Sequence, residues 1–171
     1  MVTLGCSKNL VDSELLMGQL KANNIEVMHD QNEAADIAII NTCGFIFDAK
    51  QESIDTILQF AREKKNGRLK KLFVMGCLSE RYKNDLVKEI PEVDAFYGVN
   101  DLEQIILELG NKYYPLLHAN RDLTTGHYAF MKIAEGCNRQ CSFCAIPLIR
   151  GKHISRPPEE IIREAEKLIN E

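Results

Sequence analysis

Short, largely apolar runs alternate with longer stretches of helical periodicity along most of this chain. Each run is bounded by polar residues or glycine, and runs of this kind are typical of buried parallel strands. The pattern predicts five strands, at residues 2–4, 25–28, 37–40, 72–75 and 95–99.

Between these runs, apolar residues recur at every third and fourth position, the spacing of one buried helix face. Three helices are predicted in this way, on stripes made by Ile54, Ile57, Leu58 and Ala61, by Leu78, Tyr82, Leu86 and Ile90, and by Leu102, Ile105, Ile106 and Leu109. Alternating strands and helices imply right-handed crossovers. We therefore predict an α/β domain with a doubly wound parallel sheet over residues 1–111.

The last third of the chain has a different pattern. Residues 112–126 lack periodicity and are predicted to be an interdomain linker, while 128–135 are predicted to be one further strand. A helix is predicted to open at Pro157, because proline and acidic residues suit a first helical turn. Its apolar face would be formed by Ile161, Ile162, Ala165, Leu168 and Ile169.

Composition narrows the class of protein. The 171 residues are 45% hydrophobic and 27% charged, which predicts a soluble globular chain. The sequence contains no apolar run near the roughly 18 residues of a membrane span and no secretory signal pattern at its N-terminus, so a cytoplasmic location without a membrane partner is expected. The formal net charge of −4 gives no general attraction to nucleic acid, and no DNA partner is expected.

Six cysteines in a reducing compartment are more typical of metal ligands or reactive thiols than of disulfides. Cys137, Cys141 and Cys144 form one compact loop, with three and then two intervening residues. A four-iron cluster normally takes one cysteine per iron, so three thiolates leave one iron open to a small molecule. Two other interpretations stay open, namely zinc with His153 as fourth ligand and a turn without metal.

The other three cysteines each follow a predicted strand. Cys6, Cys43 and Cys77 all occupy a turn between a strand and a helix, with a glycine beside each of them. Ligands of open α/β sheets bind beyond the carboxyl ends of the strands, so these cysteines are expected to converge at one edge of the sheet. The alternative is three unrelated buried cysteines that pack as small apolar residues.

Four motifs together resemble one family. They are Leu-Gly-Cys-Ser-Lys-Asn-Leu-Val-Asp-Ser-Glu at 4–14, Asn-Thr-Cys-Gly-Phe at 41–45, Glu-Gly-Cys-Asn-Arg-Gln-Cys-Ser-Phe-Cys at 135–144 and Arg-Gly-Lys-His-Ile-Ser-Arg-Pro at 150–157. With Gly-Cys-Leu at 76–78, they resemble the methylthiotransferases, which are radical S-adenosylmethionine (SAM) enzymes. The resemblance implies a flavodoxin-like sheet domain, followed at residues 127–171 by the first βα unit of an incomplete radical SAM (TIM-like) barrel.

The resemblance also implies cofactors and their ligands. Cys137, Cys141 and Cys144 would hold a 4Fe-4S cluster that binds SAM, and Phe143 is a candidate SAM contact. A second, auxiliary 4Fe-4S cluster would be held by Cys6, Cys43 and Cys77. An electron donor such as flavodoxin or ferredoxin is implied as a partner.

The residues within the motifs resemble the RimO-like branch, whose substrate is a ribosomal protein of the small subunit. Its product carries a methylthio group on the β-carbon of an aspartate in the twelfth protein of that subunit. The alternatives are the MiaB-like branch, which modifies adenosine in transfer RNA, and a non-catalytic zinc or iron-sulfur module. A complete barrel needs about 250 residues, so we expect this chain to be a fragment that does not turn over alone.

Polar residues near the motifs receive simpler interpretations. Asn9, Asp12, Ser13 and Glu14 are expected to cap a helix start rather than to support the first cysteine set. Arg150 and Arg156 are expected to be exposed charges, with contact to SAM or to an acidic substrate as the alternative.

Overall fold

The computed structural model describes residues 1–31, 34–115 and 121–170. Its first part is an α/β domain built on four parallel strands: β1 (Val2–Thr3), β2 (Ile37–Thr42), β3 (Lys71–Gly76) and β4 (Ala95–Phe96), in the order β1-β2-β3-β4. Four helices connect or follow them, α1 (Ser7–Ala22), α2 (Phe47–Lys65), α3 (Cys77–Glu89) and α4 (Leu102–Glu108). The predicted parallel α/β domain is confirmed.

The central strands bury both of their faces. Alternate residues of β2 and β3 pack under α2 and α3, in an apolar cluster that includes Ile40, Leu72 and Val74. The intervening residues, Ile39 and Phe73 among them, pack under α1 and α4. Because side chains alternate across a strand, a sheet covered on both sides needs an unbroken apolar run. The three helices predicted from periodicity are confirmed as α2, α3 and α4.

The strand predicted at 25–28 is wrong as a regular strand. The segment nevertheless lies along the outer side of β1, where the Met1 nitrogen donates to the Met28 carbonyl and the Asp30 nitrogen donates to the Met1 carbonyl. β1 is only two residues long, so it offers few backbone groups for a longer ladder. α1 connects β1 to this outer segment, whereas α2 and α3 connect their strands in the opposite direction across the sheet. Right-handed connections therefore place α1 on the opposite face of the sheet from α2 and α3.

The last part of the chain contains β5 (Ala134–Glu135), α5 (Ile146–Arg150), β6 (Ile154–Ser155) and α6 (Pro158–Asn170). The strand predicted over 128–135 is reduced to its final two residues, and it pairs antiparallel with β6. Among the described residues, the rest of this segment has no strand beside it. A strand needs a partner for its backbone hydrogen-bonding groups, so the segment is not a regular strand. The predicted last helix is confirmed, whereas the short α5 was not predicted.

The apolar face of α6 is only partly covered. Ile162 is 57% exposed and Ile169 is 83% exposed, whereas Glu164 is buried. Part of the predicted linker, residues 116–120, lies outside the described residues. In the described part of the chain, every helix is too short or too polar to cross a membrane.

Candidate metal centres

The first cysteine set lies at the carboxyl edge of the sheet, as predicted. Cys6 immediately precedes α1, Cys43 follows β2 directly, and Cys77 is the first residue of α3. Cys43 and Cys77 are buried and Cys6 is exposed. A Cβ at Gly5 would lie 2.7 Å from the Cβ of Cys43 and 3.1 Å from its Sγ. Glycine at this position therefore lets the turn after β1 approach Cys43 closely.

A buried amide holds these turns together. The Asn9 side chain donates to the carbonyl of Leu4 at 2.8 Å and to that of Thr42 at 3.1 Å. Asn41 in turn donates to the Asn9 carbonyl and to Ser13 Oγ, at 2.8 and 3.0 Å. The expectation that these polar residues cap α1 is wrong, because the helix has no side-chain cap and Asn9, Asp12, Ser13 and Glu14 are all buried. They face other segments instead.

Cys77 has a charged neighbour. The Nη2 atom of Arg150 lies 3.4 Å from Cys77 Sγ, and that sulfur is also 3.5 Å from Asn9 Oδ1. Burial raises the pKa of the Cys77 thiol, Arg150 opposes that rise, and Cys43 and Cys6 add to it. A Cβ at Gly44, beside Cys43, would lie 2.8 Å from the Cys77 carbonyl oxygen, so the turns that carry these two cysteines are in close contact.

The second cysteine set lies in the loop between β5 and α5. The Cys137 nitrogen donates to the Gly151 carbonyl at 3.0 Å, and the Cys144 nitrogen donates to the Cys141 carbonyl at 3.1 Å. The Arg139 nitrogen points at Cys137 Sγ, 3.5 Å away. Cys141 is exposed and the other two cysteines are partly exposed. This loop is thus closed at its base and open to solvent at its tip.

Two further residues of this loop had specific predictions. Phe143 is 88% exposed, which leaves its ring available to a ligand at the tip of the loop. The imidazole of His153 is hydrogen-bonded to Ser155 Oγ at 3.2 Å, and its backbone nitrogen is bonded to Asn138. His153 is exposed, and it lies beside β6 rather than within the cysteine loop. The structure therefore gives no support to His153 as a zinc ligand.

Both sets suit iron-sulfur ligation by their donor chemistry. All six cysteines are free thiols, and N–H groups are directed at the sulfurs of Cys77 and Cys137. Hydrogen bonds to ligating sulfurs are a regular feature of such clusters. Across residues 1–31, 34–115 and 121–170, no three His, Cys, Asp or Glu side chains stand in an arrangement that could hold a metal ion. Binding therefore requires the cysteine side chains to turn toward one another.

A cluster of charges joins the two sets, and we call it the bridging cluster. Its five members are Lys8, Asp12, Lys132, Glu135 and Arg150. Arg150 Nη1 donates to Asp12 Oδ2 at 2.8 Å and to Glu135 Oε2 at 3.2 Å. Lys132 lies 2.6 Å from Asp12 Oδ1 and 2.7 Å from Glu135 Oε2. The cluster therefore ties α1 to the base of the second cysteine loop.

Pairing within the bridging cluster favours the charged forms of Glu135 and Arg150. Burial alone would raise the pKa of Glu135, but hydrogen bonds from Lys132 and Lys8 lower that pKa to about 2. Burial alone would lower the pKa of Arg150, yet Asp12, Cys77 and Glu135 raise it overall. The expectation that Arg150 is exposed is wrong, since its side chain is 3% exposed.

A second charged cluster lies further along α1 and contains Glu14, Arg121, Arg156 and Glu164. Thr124 donates to Glu14 from both its backbone nitrogen and its hydroxyl, at 3.0 and 2.9 Å. Arg121 lies 3.5 Å from Glu14 and 3.3 Å from Glu164, but among the described residues its nitrogens make no hydrogen bond. That contact is therefore electrostatic. Arg156 is partly buried rather than exposed, because it also pairs with Glu164.

Two family models match separate parts of the chain. Residues 1–98 match the model described as Uncharacterized protein family UPF0004. The chain belongs to this family. Residues 131–171 match the model of the Radical SAM superfamily, and this match includes the second cysteine set.

The curated relatives carry a more specific name. The chain is 58% identical to Ribosomal protein uS12 methylthiotransferase RimO of Phocaeicola vulgatus, over 99% of this chain and 40% of the relative. It is 57% identical to the protein of the same name from Bacteroides fragilis, with the same coverage, and 55% identical to that of Cytophaga hutchinsonii, over 96% of this chain and 38% of the relative. The predicted RimO-like resemblance is confirmed. The chain spans about 40% of the length of these relatives.

Sequence analysis identified all six cysteines but missed the bridging cluster. Asp12 and Arg150 stand 138 positions apart, and nothing local marks them as partners. One signal was available, because Asn9, Asp12, Ser13 and Glu14 place polar groups on two sides of a helix whose remaining positions between residues 9 and 17 are apolar. A polar stripe of that width indicates a second packing surface.

Proposed function

We propose that these residues form the cluster-binding part of a radical SAM methylthiotransferase that adds a methylthio group to an aspartate β-carbon in ribosomal protein uS12. The observation that carries this proposal is the pair of free cysteine triplets, one at the edge of the sheet and one in the loop before α5, with Arg150 at the end of α5 donating to Cys77 of the first triplet. The names of the relatives favour the ribosomal-protein branch over the transfer RNA branch.

The assignment of ligands follows the resemblance. Cys137, Cys141 and Cys144 would hold the 4Fe-4S cluster that binds SAM, and the first cysteine set, Cys6, Cys43 and Cys77, would hold an auxiliary 4Fe-4S cluster. When bound, these groups supply the radical chemistry that an unactivated carbon–hydrogen bond requires, and the sulfur that is transferred. The protein contributes ligation, orientation and the exclusion of water.

The described residues have defined roles in this proposal. Asn9 fixes the turns that carry the first cysteine set, through its hydrogen bonds to Leu4 and Thr42. Burial of Cys43 and Cys77 keeps water from that site. The exposed ring of Phe143 is a candidate contact for SAM at the open tip of the second loop.

The wider organisation is also part of the proposal. Residues 1–111 would be a flavodoxin-like domain, residues 112–126 a linker, and residues 127–171 the start of a radical SAM barrel. A one-electron donor such as flavodoxin or ferredoxin would reduce the cluster that binds SAM. A ribosomal substrate implies that the reaction takes place in the cytoplasm.

Anaerobic reconstitution with iron and sulfide tests the ligand assignment. We expect about eight irons per chain, falling to about four when Cys137, Cys141 and Cys144 are replaced by alanine. Uptake of zinc without iron would contradict the assignment and favour a structural metal module.

The substrate is tested in a protein that spans the length of the curated relatives. Such an enzyme should methylthiolate uS12 and leave transfer RNA unmodified, as read by mass spectrometry of both. Modification of transfer RNA alone would overturn the proposed substrate.

A further inference from the structure

One side chain contacts both halves of the candidate machinery. Arg150 ends α5, six positions after Cys144, and its guanidinium reaches three separate segments of the chain. Nη2 donates to Asn9 Oδ1 at 2.7 Å and to Cys77 Sγ at 3.4 Å. Nη1 donates to Asp12 and Glu135, at 2.8 and 3.2 Å. The two nitrogens thus serve different sites, and a flat guanidinium fork suits this division.

Apolar packing holds α5 where Arg150 can make these contacts. Ala145 and Ile149 form a small buried cluster with Cys77 and Val99. Ala145 is the residue that directly follows Cys144, so the end of the second cysteine loop lies against a member of the first cysteine set. The position of one set is therefore coupled to that of the other through α5.

The charges around Arg150 are not balanced by carboxylates alone. The bridging cluster contains three bases, Lys8, Lys132 and Arg150, and two acids, Asp12 and Glu135. One positive charge is therefore in excess, and the Arg150 nitrogen nearest to the sulfur carries part of it. A ligating thiolate at Cys77 is the natural counter-charge for this position.

We propose that Arg150 is a positioning residue that locks the second cysteine loop onto the first cysteine set and donates to the sulfur of Cys77. The redox part of this inference rests on the proposed function, whereas the docking part does not. Hydrogen bonds and positive charge near a ligating sulfur favour the reduced, more negative cluster. Arg150 then raises the reduction potential of the auxiliary cluster.

Hydrogen–deuterium exchange on the iron-free 171-residue chain tests the docking part. We expect exchange at residues 133–151 to be at least about tenfold faster in Arg150→Gln, because Asp12 and Glu135 lose the guanidinium that bridges them and keep only their contacts with lysines. Arg150→Lys should behave similarly, since one ammonium nitrogen cannot serve Cys77 and Asp12 at once. Arg163→Gln, at an exposed position on α6, is the matched control and should match the unmodified chain.

Circular dichroism of each variant shows whether the sheet domain is still folded. If Arg150→Gln does not fold, Arg150→Lys carries the test. Unchanged exchange at residues 133–151 in a folded Arg150 variant would overturn the docking part.

Redox titration of the reconstituted chain tests the second part, in a background where Cys137, Cys141 and Cys144 are alanine so that one cluster is observed. Arg150→Gln should shift the potential of that cluster to a more negative value, and Arg150→Lys should shift it less because the charge is kept. An unshifted potential in Arg150→Gln with full iron content would overturn this part. Absence of iron uptake by the unmodified chain would instead contradict the proposed function and leave the exchange result standing.

Discussion

The sheet domain and the segment at 121–170 are held together by different forces. In the sheet domain the fully buried side chains are mostly apolar, with Phe73, Ile40 and Leu72 at the centre. In the described part of the second segment, the buried residues are Ala145 and Ile149 together with three charged ones, Arg121, Arg150 and Glu164. Burial of apolar surface drives the first region to fold. The second region is attached through paired charges together with the small apolar contact of Ala145 and Ile149.

This difference indicates what each region is for. Apolar contacts are non-directional and tolerate small shifts, whereas a buried ion pair is stable only in one geometry. The charged contacts between α1 and the second segment therefore suit a role in orientation. The proposed function requires a fixed relation between the two cysteine sets, and the charges of the bridging cluster would supply it.

The largest effect is expected from the core of the sheet. Phe73→Ala removes a ring that is 1% exposed and packs edge-on against Tyr97. It should lower the free energy of unfolding by about 3–5 kcal/mol, measured by urea denaturation. Leu107→Ala, at a position 56% exposed, is the control, and it should change the free energy by less than about 0.5 kcal/mol. Similar losses for both variants would contradict the assigned core.

A smaller and more local effect is expected at the bridging cluster. Asp12→Asn removes the carboxylate shared by Arg150 and Lys132. Loss of one partner from a buried pair should weaken the attachment of residues 121–170 by about 3 kcal/mol, seen as faster proteolysis in that segment. The thermal transition of the sheet domain should change little. If the whole chain unfolds together instead, the two regions are not separable.

Replacing each of two glycines by alanine distinguishes a steric clash from backbone strain. Gly136 has φ +73° and a Cβ there would meet the Lys152 carbonyl oxygen at 2.1 Å, whereas Gly67 has φ +75° with nothing within 4 Å. Gly67→Ala should cost only about 1–2 kcal/mol of left-handed strain. Gly136→Ala should destabilise the fold by more than Gly67→Ala does. It should also reduce iron uptake by the second cysteine set. Equal effects of the two variants on stability and iron content would argue against the described turn.

The smallest effect concerns pH. Burial would raise the pKa of Asp94, but hydrogen bonds from Lys64 and the Leu72 nitrogen lower it below 3.8. A carboxyl whose pKa is lower in the folded state stabilises the fold above its ordinary pKa, and that stability is lost as pH falls through the folded value. Unfolding between about pH 5 and 3 should therefore be less pH-dependent in Asp94→Asn. Asp36→Asn, at an exposed pair with Lys70, serves as the control.

Local sequence patterns predicted most of the fold and the candidate cysteine ligands. The apolar runs at β2 and β3 can be assigned as strands from the sequence alone, because a strand buried on both faces is apolar throughout. The cysteines were recognisable as candidate ligands because thiolate ligation imposes residue type and spacing. By contrast, the segment at 25–28 and the strand over 128–135 were misjudged, because a strand exists only where a partner strand of sufficient length lies beside it.

What the sequence determined by itself was therefore the layered α/β domain, the position of its helices and the two cysteine sets. Only the tertiary structure decided that Asp12 and Arg150 meet across 138 positions and that Arg150 reaches Cys77. Periodicity and ligand spacing are short-range properties that neighbouring residues encode. Pairing between distant charges depends on where the whole chain places them, because their attraction offsets the cost of desolvation only in the folded geometry.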